Sequence, residues 1–430
     1  MSTLGEKIRM LRKKVGLSQR ALAEGLVTKS MISQIETNKI QPSADLLTRI
    51  AQRLSVRPEQ LLPTKHEDHE RLVCYKQAQA FLTLRHFAEA LPLLQTCLED
   101  PHPSWSLLRL TYRTACCQQQ LGAYQEARRL YEKALHHAIC EEQTGEMIRL
   151  HVRLGEVAQS LGQLELALVE WRRAERELER HPAPPEEPLL ALDVCLYLAN
   201  GLRKLGGSRE ALHHYRLAEQ FLQRLPEQTR RRAEVQFGIG LVLEKLEQFE
   251  TAESCFEHAA SLYLRAIDKR MATLARISRG RLLGKTGRHE EALTELRASL
   301  QEAKSLSCPE VEVRAYCELS QACEAMGKRM LAESLLQKGL AVKCECPVER
   351  GLTFLALAEL HRDAQRYEEA LEAVRQALYL LHENMEELLV VYQLLTDLYK
   401  RQEDYEQASF WAERADRLVG KQMQQRGWKA

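Results

Sequence analysis

Between Leu17 and Asn38 the chain reads LSQRALAEGLVTKSMISQIETN, and Lys29, Ser30, Ser33 and Gln34 place four hydrogen-bonding side chains within six residues. A lysine ammonium suits the paired acceptors of guanine in the DNA major groove, and a glutamine amide suits adenine. The other residue types that carry chemistry fall in patterns that do not support it. Gly284-Lys285-Thr286 ends like a phosphate-binding loop, but the glycine required five residues earlier is Arg279. His136-His137 and His213-His214 are adjacent pairs, so their rings point to different sides of a helix and cannot easily chelate together. The twelve cysteines include Cys116-Cys117 and Cys344-Glu-Cys346, neither with the two-residue gap of a zinc knuckle. Buried free thiols in a reducing compartment, such as Cys74, Cys195 and Cys255, are the reading; the alternative is a redox pair at Cys344 and Cys346. The sequence indicates no catalytic residue, no metal ligand and no cofactor, and the chain is not expected to be an enzyme.

The four polar side chains need a scaffold. Leu22, Leu26, Ile32 and Ile35 recur at helical steps broken once by a turn. Ser18 can cap a helix from Gln19, and Thr28 one from Lys29. Asn38 follows the last periodic residue, where a left-handed backbone is wanted. Ile8, Leu11 and Val15 predict a helix upstream. Pro42-Ser43 opens a fourth, with Leu46, Leu47, Ile50, Ala51 and Leu54 on its buried side, and Pro58 starts a fifth ending near Leu62. Residues 1–62 thus form a small five-helix domain. They hold eleven Lys/Arg and five Asp/Glu, a net of +6, against 50 and 55, a net of −5, in the remainder. A basic end on a mildly acidic chain suits a surface that meets phosphates. No apolar run approaches a membrane span, and the N-terminus leads straight into the first helix without a signal segment, so no membrane contact and a cytoplasmic location are expected.

This head resembles the helix-turn-helix of the lambdoid-repressor (Xre/Cro-like) family at Ser18-Gln19, Leu22-Ala23, Ile32-Ser33, Ile35-Glu36, Pro42-Ser43 and Leu54. Leu22 to Glu36 is one residue shorter than the common family turn, a form similar to the heads of peptide-pheromone regulators of Gram-positive bacteria. The resemblance implies that Gln19 anchors a phosphate and that Lys29, Ser30, Gln34 and, secondarily, Ser33 read base edges. It also implies an internal ion pair between Arg12 and Glu36 that orients the reading helix.

The rest of the chain repeats. Alanines recur at Ala90, Ala127, Ala167, Ala211, Ala252, Ala292, Ala332, Ala370 and Ala408, at steps of 37 to 44 residues. A small residue stands twelve before each, from Ala78 and Ala115 to Ala358 and Thr396, and most copies have another seven after. Three before the alanine an aromatic or bulky residue, such as Phe87, Tyr124, Phe249 or Tyr367, is expected to fill the gap between two helices. Five before it a glycine often ends the first helix. Each copy is therefore a helix hairpin whose apolar face only the next hairpin can cover. The longest step contains prolines from Pro182 to Pro188 and predicts an exposed loop. The pattern resembles the tetratricopeptide repeat in all nine copies, with longer helices. The expected fold is all-α: a five-helix lambda-repressor-like helix-turn-helix domain (1–62), a linker (63–70) and a right-handed superhelical tetratricopeptide solenoid (71–430).

In that repeat family the first helix of each hairpin faces a concave groove. Carried over by register, the peptide-facing candidates are Tyr112 and Gln119, Val152 and Gln159, Asn200 and Arg203, Phe237 and Glu244, Arg281, Tyr316 and Gln321, and Arg362, with Arg109, Arg113, Arg149 and Arg153 one turn earlier. Amides can satisfy both donors and acceptors of an extended backbone, and Arg grips a carboxylate with two bonds. Asn200 carries most weight because the chain holds three asparagines in all. Head and repeats together resemble the peptide-pheromone regulators called RRNPP. The resemblance implies a cytoplasmic homodimer paired through its repeats, an inverted-repeat operator in double-stranded DNA, and a short signalling peptide that modulates DNA binding. The alternative is a repeat body that sequesters a second protein, such as a phosphorelay component, with DNA binding as another activity.

Overall fold

The nine repeat alanines set the register of the body: each is buried, and each is the fourth residue of a helix. The computed structural model describes residues 4–61, 65–181, 188–382 and 385–425. Among these residues there are twenty-three helices and no strand.

The head consists of α1 (Leu4–Lys14), α2 (Gln19–Ala23), α3 (Lys29–Glu36), α4 (Ala44–Arg53) and α5 (Pro58–Leu61). Ser18, Thr28 and Ser43 cap α2, α3 and α4, accepting from the N–H groups of Ala21, Met31 and Leu46. Ile8, Leu22, Ile32, Ile35, Leu46, Leu47, Ile50 and Leu54 meet in one core. Val15 does not join it. Helix α1 ends at Lys14, the chain turns through Gly16 at φ +77°, and Val15 is exposed.

Hairpins fill the rest: α6 (Lys65–Thr83) with α7 (Phe87–Glu99), α8 (Leu107–Gln120) with α9 (Tyr124–Cys140), α10 (Thr144–Ser160) with α11 (Leu164–Arg180), and α12 (Pro188–Lys204) with α13 (Ser208–Gln223). Then come α14 (Thr229–Lys245) with α15 (Phe249–Arg265), α16 (Lys269–Lys285) with α17 (His289–Ser305), and α18 (Pro309–Ala325) with α19 (Arg329–Ala341). The last are α20 (Pro347–Asp363) with α21 (Tyr367–Leu381) and α22 (Met385–Arg401) with α23 (Tyr405–Gln425). The stretch 63–70, expected as a linker, is helical from Lys65; residues 62–64 and the proline-rich 182–187 lie outside the described residues. The chain divides into two compact units, Met1–Leu150 and His151–Ala430.

The packing rule inside a hairpin differs from the expected one. The residue three before each alanine is the first of its helix and is half-buried or exposed. The gap is filled from four residues after the alanine, by Leu94, Tyr131, Trp171, Tyr215, Phe256, Leu296, Leu336 and Val374, all buried. These side chains land on the small residue of the preceding helix. A Cβ on Gly155 would lie 2.1 Å from Trp171 Nε1, and one on Gly240 2.7 Å from Phe256 Cε1. The two periodicities therefore form one device: a small residue sixteen positions before a large one.

The turn within each hairpin is uniform. Five before every repeat alanine the backbone is left-handed, at Gly122, Gly162, Gly206, Gly287 and Gly327 but equally at Arg85, Glu247, Gln365 and Glu403. In the second unit α12 packs on α14, α16 on α18, α18 on α20 and α20 on α22, so the first helices build the inner layer that faces the candidate groove.

Candidate nucleic-acid interface and repeat groove

The head holds its reading helix with one polar knot. Arg12 Nε donates to Glu36 Oε1 at 2.5 Å, Nη2 to Oε2 at 3.0 Å, and Nη1 to the Leu17 carbonyl at 2.8 Å. Gln19 Nε2 donates to Glu36 Oε2 at 2.8 Å. Both Arg12 and Glu36 are buried. Desolvation pushes the Glu36 carboxyl up, but the bonds from Arg12 and Gln19 outweigh it and hold it below the ordinary carboxylate range. The knot joins α1, the start of α2 and the end of α3, as the family resemblance implied for Arg12 and Glu36. Gln19 is fixed at the first position of α2 with its amide nitrogen committed to Glu36.

On α3 the sides separate cleanly. Lys29, Ser30 and Gln34 are exposed and Ser33 is half-buried, while Ile32 and Ile35 face the core. The five DNA candidates therefore sit on α2 and α3, four of them on one helix.

Three supports of this geometry escaped the sequence reading. Gly5 lets α1 approach the end of α3: a Cβ there would lie 2.2 Å from the Ile35 carbonyl oxygen. Its N–H donates at 3.1 Å to Oδ1 of Asn38, which itself has the expected left-handed backbone at φ +56°. The shortened turn between α2 and α3 is braced from α4, where Arg49 donates to the Gly25 carbonyl at 3.3 Å and Arg53 to that of Glu24. The repeated small-residue signal could not have found these, because each is a single contact between distant segments.

The groove candidates fare unevenly. In the first unit, Arg109 is exposed on α8. Tyr112 packs edge-on against Tyr131, Arg113 donates to Tyr75 Oη at 2.8 Å, and Arg149 donates to Glu146 at 2.9 Å. In the second unit, Arg153 donates to Glu156 at 2.7 Å, and Phe237 packs on Phe256 with ring centroids 5.8 Å apart. Val152 is buried. Tyr316 is also buried and turned to the outer layer, where Lys304 lies over its ring at 5.1 Å and Gly339 packs against it. Both are thus buried where the register expected a groove-facing side chain.

Asn200 has a structural task. Its Oδ1 accepts from Tyr215 Oη at 2.7 Å, and Nδ2 lies 3.5 Å from Glu234. Gln119 does the same for Tyr131, accepting at 2.7 Å. In these two hairpins the large filler is a tyrosine, and a groove-side amide satisfies its hydroxyl. Arg203, one turn beyond Asn200, has a buried Nε without a hydrogen-bond partner. Arg281 is held inside: Nη2 donates to Glu244 at 2.6 Å and Nη1 lies 3.6 Å from Glu318, while Lys285 donates to Glu244 at 2.8 Å.

The cysteines carry no cluster with ligand geometry. Among the described residues no group of three His, Cys, Asp or Glu could hold a metal ion. Burial pushes the thiols of Cys195 and Cys317 up to about 12, far from nucleophilic range at neutral pH. Cys344 and Cys346, the pair named in the alternative reading, are joined as a disulfide ahead of α20, and the other ten cysteines are free. No helix among the described residues is long and apolar enough to cross a membrane.

Residues 8–61 match the helix-turn-helix family model, and residues 233–264, the α14–α15 hairpin, match that of the tetratricopeptide repeat. No curated protein matches the sequence. Among solved structures the chain is similar to the apo form of the quorum sensor NprR from B. thuringiensis, at 14% identity and a TM-score of 0.52, covering 82% of this chain and 99% of that one. It is similar to the apo form of RapI at 12% identity and a TM-score of 0.53, covering 64% and 98%. A tetratricopeptide repeat protein from Parabacteroides merdae gives 16% and 0.50, covering 66% and 98%. At these identities the likeness is one of fold: a helix-turn-helix head followed by tetratricopeptide-type hairpins.

Proposed function

We propose that the chain is a sequence-specific DNA-binding transcriptional regulator of the RRNPP class, cytoplasmic and dimeric through its repeats, whose groove takes a short signalling peptide that modulates DNA binding. The observation that carries this reading is the α3 surface. Lys29, Ser30 and Gln34 point outward from a helix whose other side, Ile32 and Ile35, is fixed in a core. Around it lies a segment of net charge +6. A polar helix face on a basic domain is what major-groove reading requires.

Two heads on a dimer read half-sites about 34–36 Å apart, or at multiples of that spacing. A ligand that favours one head spacing over another therefore gates operator binding. A side-chain amide can offer an extended peptide both donor and acceptor; with the oxygens of Gln119 and Asn200 accepting from Tyr131 and Tyr215, their amide nitrogens are what they offer.

The test uses the full chain and DNA fragments selected from a random pool. Selection is expected to yield an inverted repeat, bound with a steep inverse dependence on salt. The pair Lys29→Ala and Gln34→Ala is expected to remove the preference for that repeat over random DNA while helix content and melting are kept. Equal preference in wild type and double variant would exclude α3 as the reader.

A further inference from the structure

The inner layer of the second unit has more carboxylates than partners at one end. Glu318, on α18, is buried, and its Oε2 has no hydrogen-bond partner. The nearest cation, Arg281 Nη1, is 3.6 Å from the other oxygen, and Arg281 makes its close bond to Glu244 on α14. Lys285 also turns to Glu244. The cations of this network thus gather on one carboxylate and leave the second under-satisfied. An unpartnered buried carboxylate oxygen is costly, and a donor that reaches it gains that cost back.

Further along the same layer, Glu324 on α18 is pushed up by desolvation and by repulsion from Asp363. Glu359 on α20 is likewise pushed up by desolvation and by Glu324 and Asp363. The cation among them, Arg362, bonds Asp363 at 2.8 Å and lies 3.9 Å from Asp397. Arg329 also acts on Glu324, yet both Glu324 and Glu359 stay pushed up, and repulsion that these guanidiniums do not quench favours an incoming positive charge.

We propose that the inner face from α16 to α20 receives a cationic group of the bound peptide, a Lys or Arg side chain or a free N-terminal amine, with Glu318 as its carboxylate partner and the Glu324, Glu359 and Asp363 carboxylates adding to the negative field of that face. This rests on the reading of the groove as a peptide site. Two arginines named as grips for a peptide carboxylate, Arg153 and Arg281, are engaged with Glu156 and Glu244. At Glu318 the unmet demand is for a donor carrying positive charge.

The experiment pans a random heptapeptide library over immobilised full-length protein and reads the retained pool by mass spectrometry. One arm has free N-termini and one has acetylated N-termini. Lys and Arg are expected to be enriched over input by roughly fivefold, equivalent to about 1 kcal/mol. If the cation is a side chain, the enrichment persists after acetylation; if it is the terminal amine, retention itself drops in the acetylated arm by a similar factor. Glu318→Gln, checked by thermal melting, is expected to lower that selectivity to near unity, and Glu359→Gln, checked the same way, to lower it in part. Glu406→Gln, on the exposed side of α23, is expected to keep it. A retained pool without cation preference in either arm, or a preference unchanged in both groove variants, would overturn the charge assignment and leave the peptide reading standing. Retention of no peptide above a blank surface would overturn both.

Discussion

Replacing Glu36 by Gln isolates what the polar knot does for the head. Arg12 and Glu36 have side-chain exposures of 10% and 1%, so the pair is well withdrawn from water. Removing one partner of a buried pair typically costs about 3–5 kcal/mol, because the remaining charge is left without compensation. A unit of some sixty residues has a total stability of roughly 3–9 kcal/mol. Most of the head's stability should therefore go, while the hairpins are untouched. Hydrogen exchange on the full chain reads this directly. Protection in peptides covering α1 and α3 is expected to fall by about a hundredfold or more, since each factor of ten is about 1.4 kcal/mol. Peptides from α14 and α15 serve as the internal control. The double variant Arg12→Met with Glu36→Leu should recover most of the protection, because apolar replacements remove the desolvation penalty along with the pair. The pH arm has a definite sign. The folded Glu36 carboxyl is held below its unfolded value by Arg12 and Gln19, against desolvation. Its contribution is thus complete above the unfolded value of about 4.3 and is lost as pH falls through the lower folded one. Loss of head protection in acid should be shallower in the double variant. Protection in α1 and α3 that changes less than tenfold in Glu36→Gln would refute the assignment of the knot as the head's main brace.

Three further outcomes follow from the hairpins. Gly155→Ala would place a Cβ 2.1 Å from Trp171 Nε1 and disturb its 3.3 Å bond to the Val152 carbonyl, so melting should shift down by the equivalent of about 1–3 kcal/mol, with a change in tryptophan fluorescence. Glu247→Gly should raise stability by up to about 1 kcal/mol, because Glu247 holds φ +60° where glycine carries no penalty, less the entropy glycine adds to the unfolded chain; differential scanning calorimetry decides. Asn200→Ala should cost about 1–3 kcal/mol in urea titrations by leaving the Tyr215 hydroxyl without its acceptor, and Tyr215→Phe in the same background should restore part of it.

The parts of this molecule legible in sequence are those that repeat or that follow local rules. Alanines at nine regular positions gave the register of the hairpins, and Ser18, Thr28 and Asn38 gave the bounds of α2 and α3, because capping and left-handed termini depend on a few neighbouring residues. Single long-range contacts were not legible. Nothing near Gly5 announces that it must pass within a Cβ's reach of Ile35, and nothing near Arg53 announces the Glu24 carbonyl. The filler of the hairpin gap was expected at the wrong position for a related reason. A large residue can cover a small one from either end of the facing helix, and helix direction decides in favour of the position four after the alanine rather than three before it.

The groove was the least legible element because register names a face but not the state of a side chain. Arginine at an inner position reads from sequence as an available cation. Arg281 shows why that inference fails in a stacked repeat: its neighbours two helices in either direction also place charges on the inner layer, and the closer of the two, Glu244, takes its short bond. What remains for a ligand is the residue left over from such pairings. In this chain that residue is Glu318, a carboxylate that no sequence argument singled out, made conspicuous by the bonds its neighbours make elsewhere. The charge a groove offers is thus a difference between two nearly balanced sets. It is set by which pairs close across neighbouring hairpins, and one substitution at Glu244 would be enough to release Arg281 toward Glu318 and invert the preference of the site.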